Sequence, residues 1–150
     1  MKAVVQRVKS ASLTVDGKLI SETGAGLVVY LGVGRGDTEK ECETTARKIC
    51  NMRIFEDGAG KMNFSVKDTG GEVLLVSQFT LYGDARKGNR PSFIEAELPD
   101  RAEKLYLSVR DMIASEGVSV KTGVFGADMK INQINDGPVT ILLDFSVQNV

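Results

Sequence analysis

The sequence contains no histidine. That absence excludes a Ser-His-Asp triad, a Cys-His dyad and every His-bearing zinc site, so any hydrolytic chemistry must draw on backbone groups, water or the substrate itself. Cysteine is scarce, with Cys42 and Cys50 only. They stand in one helix-like stretch, too far apart to bridge and without the partners of a metal site, and read as reduced core thiols. An excess of positive charge is missing as well. The net charge is -1 and the isoelectric point about 5.6, so the chain lacks the basic surface that coats nucleic acid, and any RNA contact must be local. No apolar run approaches the roughly 20 residues of a membrane helix. The opening MKAVVQRVKSASLTV alternates like a strand, where a secretory leader would carry an apolar block. The expectation is a cytoplasmic protein without membrane segment, metal or cofactor.

What is present fits one globular domain spanning residues 1–150, long enough to bury a sizeable core. Lys2 to Val15 alternates, Asp16-Gly17 is a hairpin turn, and Lys18 to Thr23 returns. Gly26 to Val33 and Glu72 to Phe79 are unbroken apolar runs, the pattern of buried strands. Between them, Thr38 and Glu41 form a capping box that opens a helix with Cys42, Ala46, Ile49 and Cys50 on one face. RIFEDGAGKMN is expected to form a short strand ending in a glycine-rich turn. A second helix starts at Pro99-Asp100, with Glu103 completing another capping box. Its apolar stripe is Ala102, Leu105, Tyr106, Val109, Met112 and Ile113, and it stops at Gly117. Three further strands, VSVKTG, ADMKINQIN and VTILLDF, close the chain. The expected fold is mixed α+β: barrel-like sheet layers with two amphipathic helices packed on one side.

Three constellations are candidates for chemistry. Ser77-Gln78-Phe79-Thr80 clusters polar side chains where a strand leaves the core, and alternation would send Ser77 and Phe79 to one face and Gln78 and Thr80 to the other. Such hydroxyls also serve simply to satisfy nearby backbone groups. Asn135-Asp136-Gly137-Pro138-Val139-Thr140 lies between two apolar strands and reads most simply as a turn. Arg86-Lys87-Gly88-Asn89-Arg90-Pro91 is a basic loop, either solvated or a phosphate contact.

GKMN, SQFTLYGD, RKGNRPSF, PDRAEKLY and NDGPVT, in this order along nearly the whole chain, together resemble the D-aminoacyl-tRNA deacylase family. The residues after Asp144 match no motif. The resemblance implies an enzyme, a homodimer, that hydrolyses the ester between a D-amino acid and the 3′ end of tRNA, with glycine as a possible second substrate. It implies that Gly137-Pro138 is cis and reaches into the partner's pocket, where its carbonyls receive the substrate and an L side chain would collide. It further implies that Arg7 holds that segment and that Met129 lies near the pocket, although Met129 reads equally well as core.

An aminoacyl ester is already activated, so backbone N–H groups of Gln78, Phe79 and Thr80 would suffice as an oxyanion hole, with the tRNA 2′-OH or a water assisting. Thr80 is placed as an orienter, since the sequence offers no base to activate it as a nucleophile. Arg86, Lys87 and Arg90 are the expected contacts to the acceptor end. Two alternatives stay open: a non-catalytic dimeric RNA- or ligand-binding module, and a related deacylase that removes a misattached small L-amino acid.

Overall fold

The computed structural model describes residues 1–146, so the last four of the unplaced residues after Asp144 lie outside the described span. Strand β1 (Lys2–Val15) is the hub. It turns at Asp16-Gly17 into β2 (Lys18–Thr23), and both turn residues have positive φ, 50° and 75°, matching the twist of a tight hairpin. One flank of β1 carries β3 (Gly26–Gly32) along its first half and β2 along its second.

Helix α1 (Glu39–Asn51) follows β3, capped as expected: Thr38 accepts from the first turn and Glu41 accepts from the Thr38 N–H at 2.7 Å. Its inward face buries Cys42, Ala46, Ile49 and Cys50. Both thiols are free, and burial pushes them up to about 12 and about 11 respectively, out of the reactive range.

The glycine-rich segment is a two-stranded hairpin, β4 (Phe55–Glu56) and β5 (Met62–Phe64), where a single strand was expected. After it comes an unexpected one-turn helix, α2 (Val66–Thr69), whose signals were in the sequence: Ser65 and Asp68 form a capping box and Gly70 is a left-handed cap. Strand β6 (Glu72–Ser77) pairs in parallel with β3, and β7 (Ser119–Thr122) in parallel with β6. The free flank of β7 returns to β2, where Ser21 donates to the Thr122 carbonyl and Lys121 Nζ to the Glu22 carbonyl at 2.7 Å. The sheet thus curls into a nearly closed barrel.

Helix α3 (Pro99–Ser115) buries Ala102, Leu105, Tyr106, Val109 and Ile113. Its expected capping box does not form. Pro99 occupies the first helical position, which makes Leu98 the cap and places Asp100 inside the first turn, where an acid favours the helix dipole instead. Helices α1 and α3 pack together on one sheet face, over Ala3, Val5, Leu27, Val29, Val73 and Leu75. The opposite face is a smaller cluster of Val8, Ala11, Leu13, Val28, Leu74 and Val76, closed by the curl of the sheet itself. The expected placement of the two long helices holds.

The last strand, β8 (Lys130–Asp144), runs antiparallel along the other flank of β1 for almost its whole length. Two strands separated by a turn were expected. A continuous strand forms because β1 is itself long and unbroken, so pairing resumes after a local excursion at residues 136–139.

Candidate active site

The polar strand exit is built by the length of its neighbour. Strand β3 ends at Gly32, and the Gln78 N–H takes the last rung, donating to the Leu31 carbonyl at 2.8 Å. The chain then winds into one 3-10 turn over Phe79–Tyr82. The strand therefore stops at Ser77, two residues short of the expected Phe79, and the alternating faces expected for residues 78–80 do not apply.

One expected oxyanion donor is lost with it, because the Gln78 N–H is engaged by Leu31. The N–H groups of Phe79 and Thr80, in the first turn, have no partner among the described residues. The Thr80 hydroxyl accepts from Gln78 Nε2, which leaves its own hydrogen free to donate. Ser77 is half-buried at the strand end. Phe79 is 57% exposed, and its ring meets Phe93 edge to face at 5.1 Å. Phe93 belongs to the RKGNRPSF motif but carried no expected role.

Gly137-Pro138 lies in the excursion of β8. Gln6 pairs with Thr140 and Val8 with Asn135, so Arg7 alone stands opposite Asp136 to Val139. Arg7 is only 7% exposed. Its guanidinium donates to the Ile54 carbonyl at 2.7 Å and to the Asp136 carbonyl at 3.0 Å, and lies 3.7 Å from the Asp136 carboxylate. A buried cation requires such partners. Arg7 is therefore a buried, partnered cation and not a strand-face charge in solvent. The Gly137-Pro138 peptide is cis, and Gly137 has φ 131°, where a Cβ would meet Val139 at 2.9 Å and Arg7 Nη2 at 3.1 Å. Only glycine fits that position without strain.

A polar chain on the adjoining strands went unforeseen. The Tyr30 hydroxyl donates to Gln133 at 2.6 Å, Gln133 donates to Gln6 at 2.8 Å, and Gln6 to Thr140 at 3.3 Å, which braces the upper end of the excursion. Burial raises the Tyr30 pKa and keeps it a donor. Its signal was two glutamines in apolar strands.

Within one chain the two candidate segments are apart. Ser77 is level with Leu31 and Ala3, whereas the excursion is level with Arg7. That is roughly 13 Å along the strands and about 14 Å across three strand spacings. Met129 is half-buried against Leu13 and Ile131 in the cluster that also holds Val76, the last core residue before the polar exit. The basic loop is held by a two-way backbone bridge between Asp84 and Ser92. Lys87 and Arg90 are exposed on it, but the Arg86 guanidinium is held along one edge by the Asp84 carboxylate, Nε donating at 2.9 Å and Nη2 at 2.8 Å. That guanidinium, by hydrogen bonding, holds the Asp84 carboxyl far below the usual carboxylate range. Among the described residues no three metal-ligating side chains converge, and no helix is long and apolar enough to cross a membrane.

A profile of the D-Tyr-tRNA(Tyr) deacylase family matches residues 4–144. A D-aminoacyl-tRNA deacylase of Carboxydothermus hydrogenoformans is 54% identical over 144 residues, 96% of this chain and 99% of its own. One of Thermotoga petrophila is 54% identical over 146 residues, 97% of this chain and 98% of its own. Among solved structures, a c-Myc DNA unwinding element binding protein superposes with a TM-score of 0.91 at 46% identity, covering 98% of this chain and 100% of that one. A probable eukaryotic D-amino acid tRNA deacylase shares the fold with a TM-score of 0.81 at 18% identity, over 95% of this chain and 97% of its own.

Proposed function

The chain belongs to the D-Tyr-tRNA(Tyr) deacylase family, and on that premise we propose that it hydrolyses the ester of D-aminoacyl-tRNA in a pocket shared by two copies of the chain. Gly137-Pro138 of one copy reaches the Ser77–Thr80 exit of the other. The observation that carries this reading is the separation of the two segments within one chain, each held in a defined shape and each incomplete alone. A symmetric pair of copies closes both sites at once.

In this reading the free N–H groups of Phe79 and Thr80 polarise the ester carbonyl and hold the oxyanion, a contribution of ~10²–10³ in rate for each donor. Water adds to the carbonyl carbon. The bond to the ribose 3′ oxygen breaks, and the proton lost by the water passes through the neighbouring 2′-OH to that oxygen. The products are free D-amino acid and tRNA. Thr80, fixed by Gln78, orients the water or the 2′-OH, and Met129 lines the floor near Val76. The Gly137-Pro138 carbonyls receive the ammonium and Cα, leaving no room for an L side chain while admitting glycine, as on a tRNA(Ala) wrongly charged with it. The reaction belongs to the cytoplasm, where aminoacyl-tRNA is made and used, and requires neither metal nor cofactor. Catalysis that dies in EDTA and returns with zinc would remove that last statement.

Matched D- and L-tyrosyl-tRNA test the proposal: the D ester is turned over many times and the L ester survives. Equal rates on both would overturn it. The 46% identical solved structure, by its name a DNA-binding protein, favours a second reading as a non-catalytic nucleic-acid-binding module. Such a module would shield aminoacyl-tRNA and release no excess of amino acid. A deacylase for a misattached small L-amino acid would instead prefer L-alanyl-tRNA.

A further inference from the structure

The strongest unassigned feature is a groove of about 810 Å³ between the C-terminal end of α1 and the end of β8. Its walls carry Arg47, Lys48 and Arg53 against a single carboxylate, Asp144, in a chain whose net charge is -1. Arg47 and Lys48 are exposed and make no ion pair among the described residues. The charge of Asp144 is already engaged by the Ser146 N–H at 2.9 Å. Arg53 is held in place by the Asn63 carbonyl at 3.0 Å and by the Asn63 side chain, without a neutralising partner. Concentrated, unpaired and partly prepositioned cations suit a polyanion.

The groove also lies in line with the candidate active site. Lys2 pairs with Asp144 across the β1–β8 ladder, and its ammonium rests 4.7 Å over the ring of Tyr82, the last residue of the 3-10 turn that begins with Phe79. A second cavity, lined by Lys2, Tyr82 and Ser146 and also by the Asp84–Arg86 pair and Glu95, occupies that stretch. Lys2 thus stands between the groove and the 3-10 turn at one end of the sheet, and the cations are concentrated in the groove itself, at Arg47, Lys48 and Arg53.

We propose that this groove seats the phosphodiester backbone of the tRNA acceptor stem, while the 3′ end reaches the 3-10 turn through the second cavity. The inference rests on the deacylase reading for the identity of the RNA. It relocates the main electrostatic contact from the basic loop, where Asp84 already neutralises Arg86, to the end of α1.

The test is the double variant Arg47→Ala, Lys48→Ala. Arg53 is left in place because it braces the β4–β5 hairpin. Binding of deacylated tRNA(Tyr) is measured at 50 and 200 mM salt, beside turnover of D-tyrosyl-tRNA and of D-tyrosyl-adenosine, an ester without a stem. With two contacts removed at roughly 0.7–0.9 each, the rise in Kd between the two salt concentrations should shrink about tenfold. KM for D-tyrosyl-tRNA should rise at constant kcat, turnover of D-tyrosyl-adenosine should not change, and the exchange Arg47→Lys, Lys48→Arg should restore binding. Unchanged tRNA affinity and salt dependence overturn the proposal. So does a loss of D-tyrosyl-adenosine turnover in step with tRNA turnover, or a change in oligomeric state, which would make the groove a contact between copies. If the parent protein leaves D-tyrosyl-tRNA intact yet tRNA binding depends on the two residues, the hydrolase reading fails and the groove stands.

Discussion

The two segments of the candidate active site are held in opposite ways. The backbone of residues 77–80 is shaped by main-chain bonds and a ring contact, with the Gln78 side chain fixing only the Thr80 hydroxyl. Residues 136–139, braced at one end through Thr140, are otherwise held by one buried guanidinium that serves the carbonyls of both Asp136 and Ile54. The first arrangement is redundant and tolerant, whereas the second has one point of failure. The difference also matches the proposed tasks, since N–H donors act through the backbone and a chiral barrier acts through the placement of a rigid wall.

Removing Arg7 should therefore do the most damage. Arg7→Ala leaves two carbonyls without a donor at about 1–3 kcal/mol each, and at ~2–4 °C per kcal/mol it should lower Tm by roughly 4–24 °C and abolish deacylation. Arg7→Lys, with one compact ammonium in place of a fork, should fall between. An Arg7→Ala protein with parental Tm and activity would erase the contrast. Next in size is Gly137→Ala, which forces an L residue to φ 131° against Val139 and Arg7. It should cost about 1–3 kcal/mol and narrow the ratio of D to L turnover. Unaltered selectivity would show that the wall is not where the proposal puts it.

On the tolerant side, Thr80→Ala should reduce kcat by less than the ~10²–10³ of a lost oxyanion donor, because the N–H at that position survives. Trapping should find no acyl-enzyme, and a D-aminoacyl adduct on Thr80 would make it a nucleophile. The smallest effect belongs to the basic loop. Lys87→Ala with Arg90→Ala should flatten the log–log salt slope of tRNA binding by at most about 1.4, at ~0.7 per single-stranded contact. Arg86→Ala alone should leave the slope unchanged, since its partner is Asp84. A drop in slope on losing Arg86 would show that RNA displaces Asp84 from it.

Local signals were legible wherever they act within a few residues. The capping box at Thr38, the turn at Asp16-Gly17 and the stripe of α3 form as their residue types dictate. The misses share a cause of longer range. The second capping box failed because Pro99 shifted the frame by a residue or two, and the strand to Phe79 was cut short because its partner β3 ends at Gly32. Asn, Asp, Gly and Pro at 135–138 have turn chemistry, yet here they form a bulge in a strand whose long partner recaptures the chain on the far side.

The sequence by itself determined the two long helices with their apolar faces, the capping box at Thr38, the Asp16-Gly17 turn and the exclusion of every histidine-dependent chemistry, because propensity, hydrogen-bond capacity and side-chain pKa belong to residues and their near neighbours. Only the tertiary structure decided which N–H groups at the strand exit stay free, that Arg7 is buried beneath Gly137, that Asp84 neutralises Arg86, and that Arg47, Lys48 and Arg53 share one groove. Those outcomes depend on where a neighbouring strand ends and which carbonyl or carboxylate arrives from distant parts of the chain. Desolvation and pairing set the energy of each polar group, and neither exists until the sheet has closed.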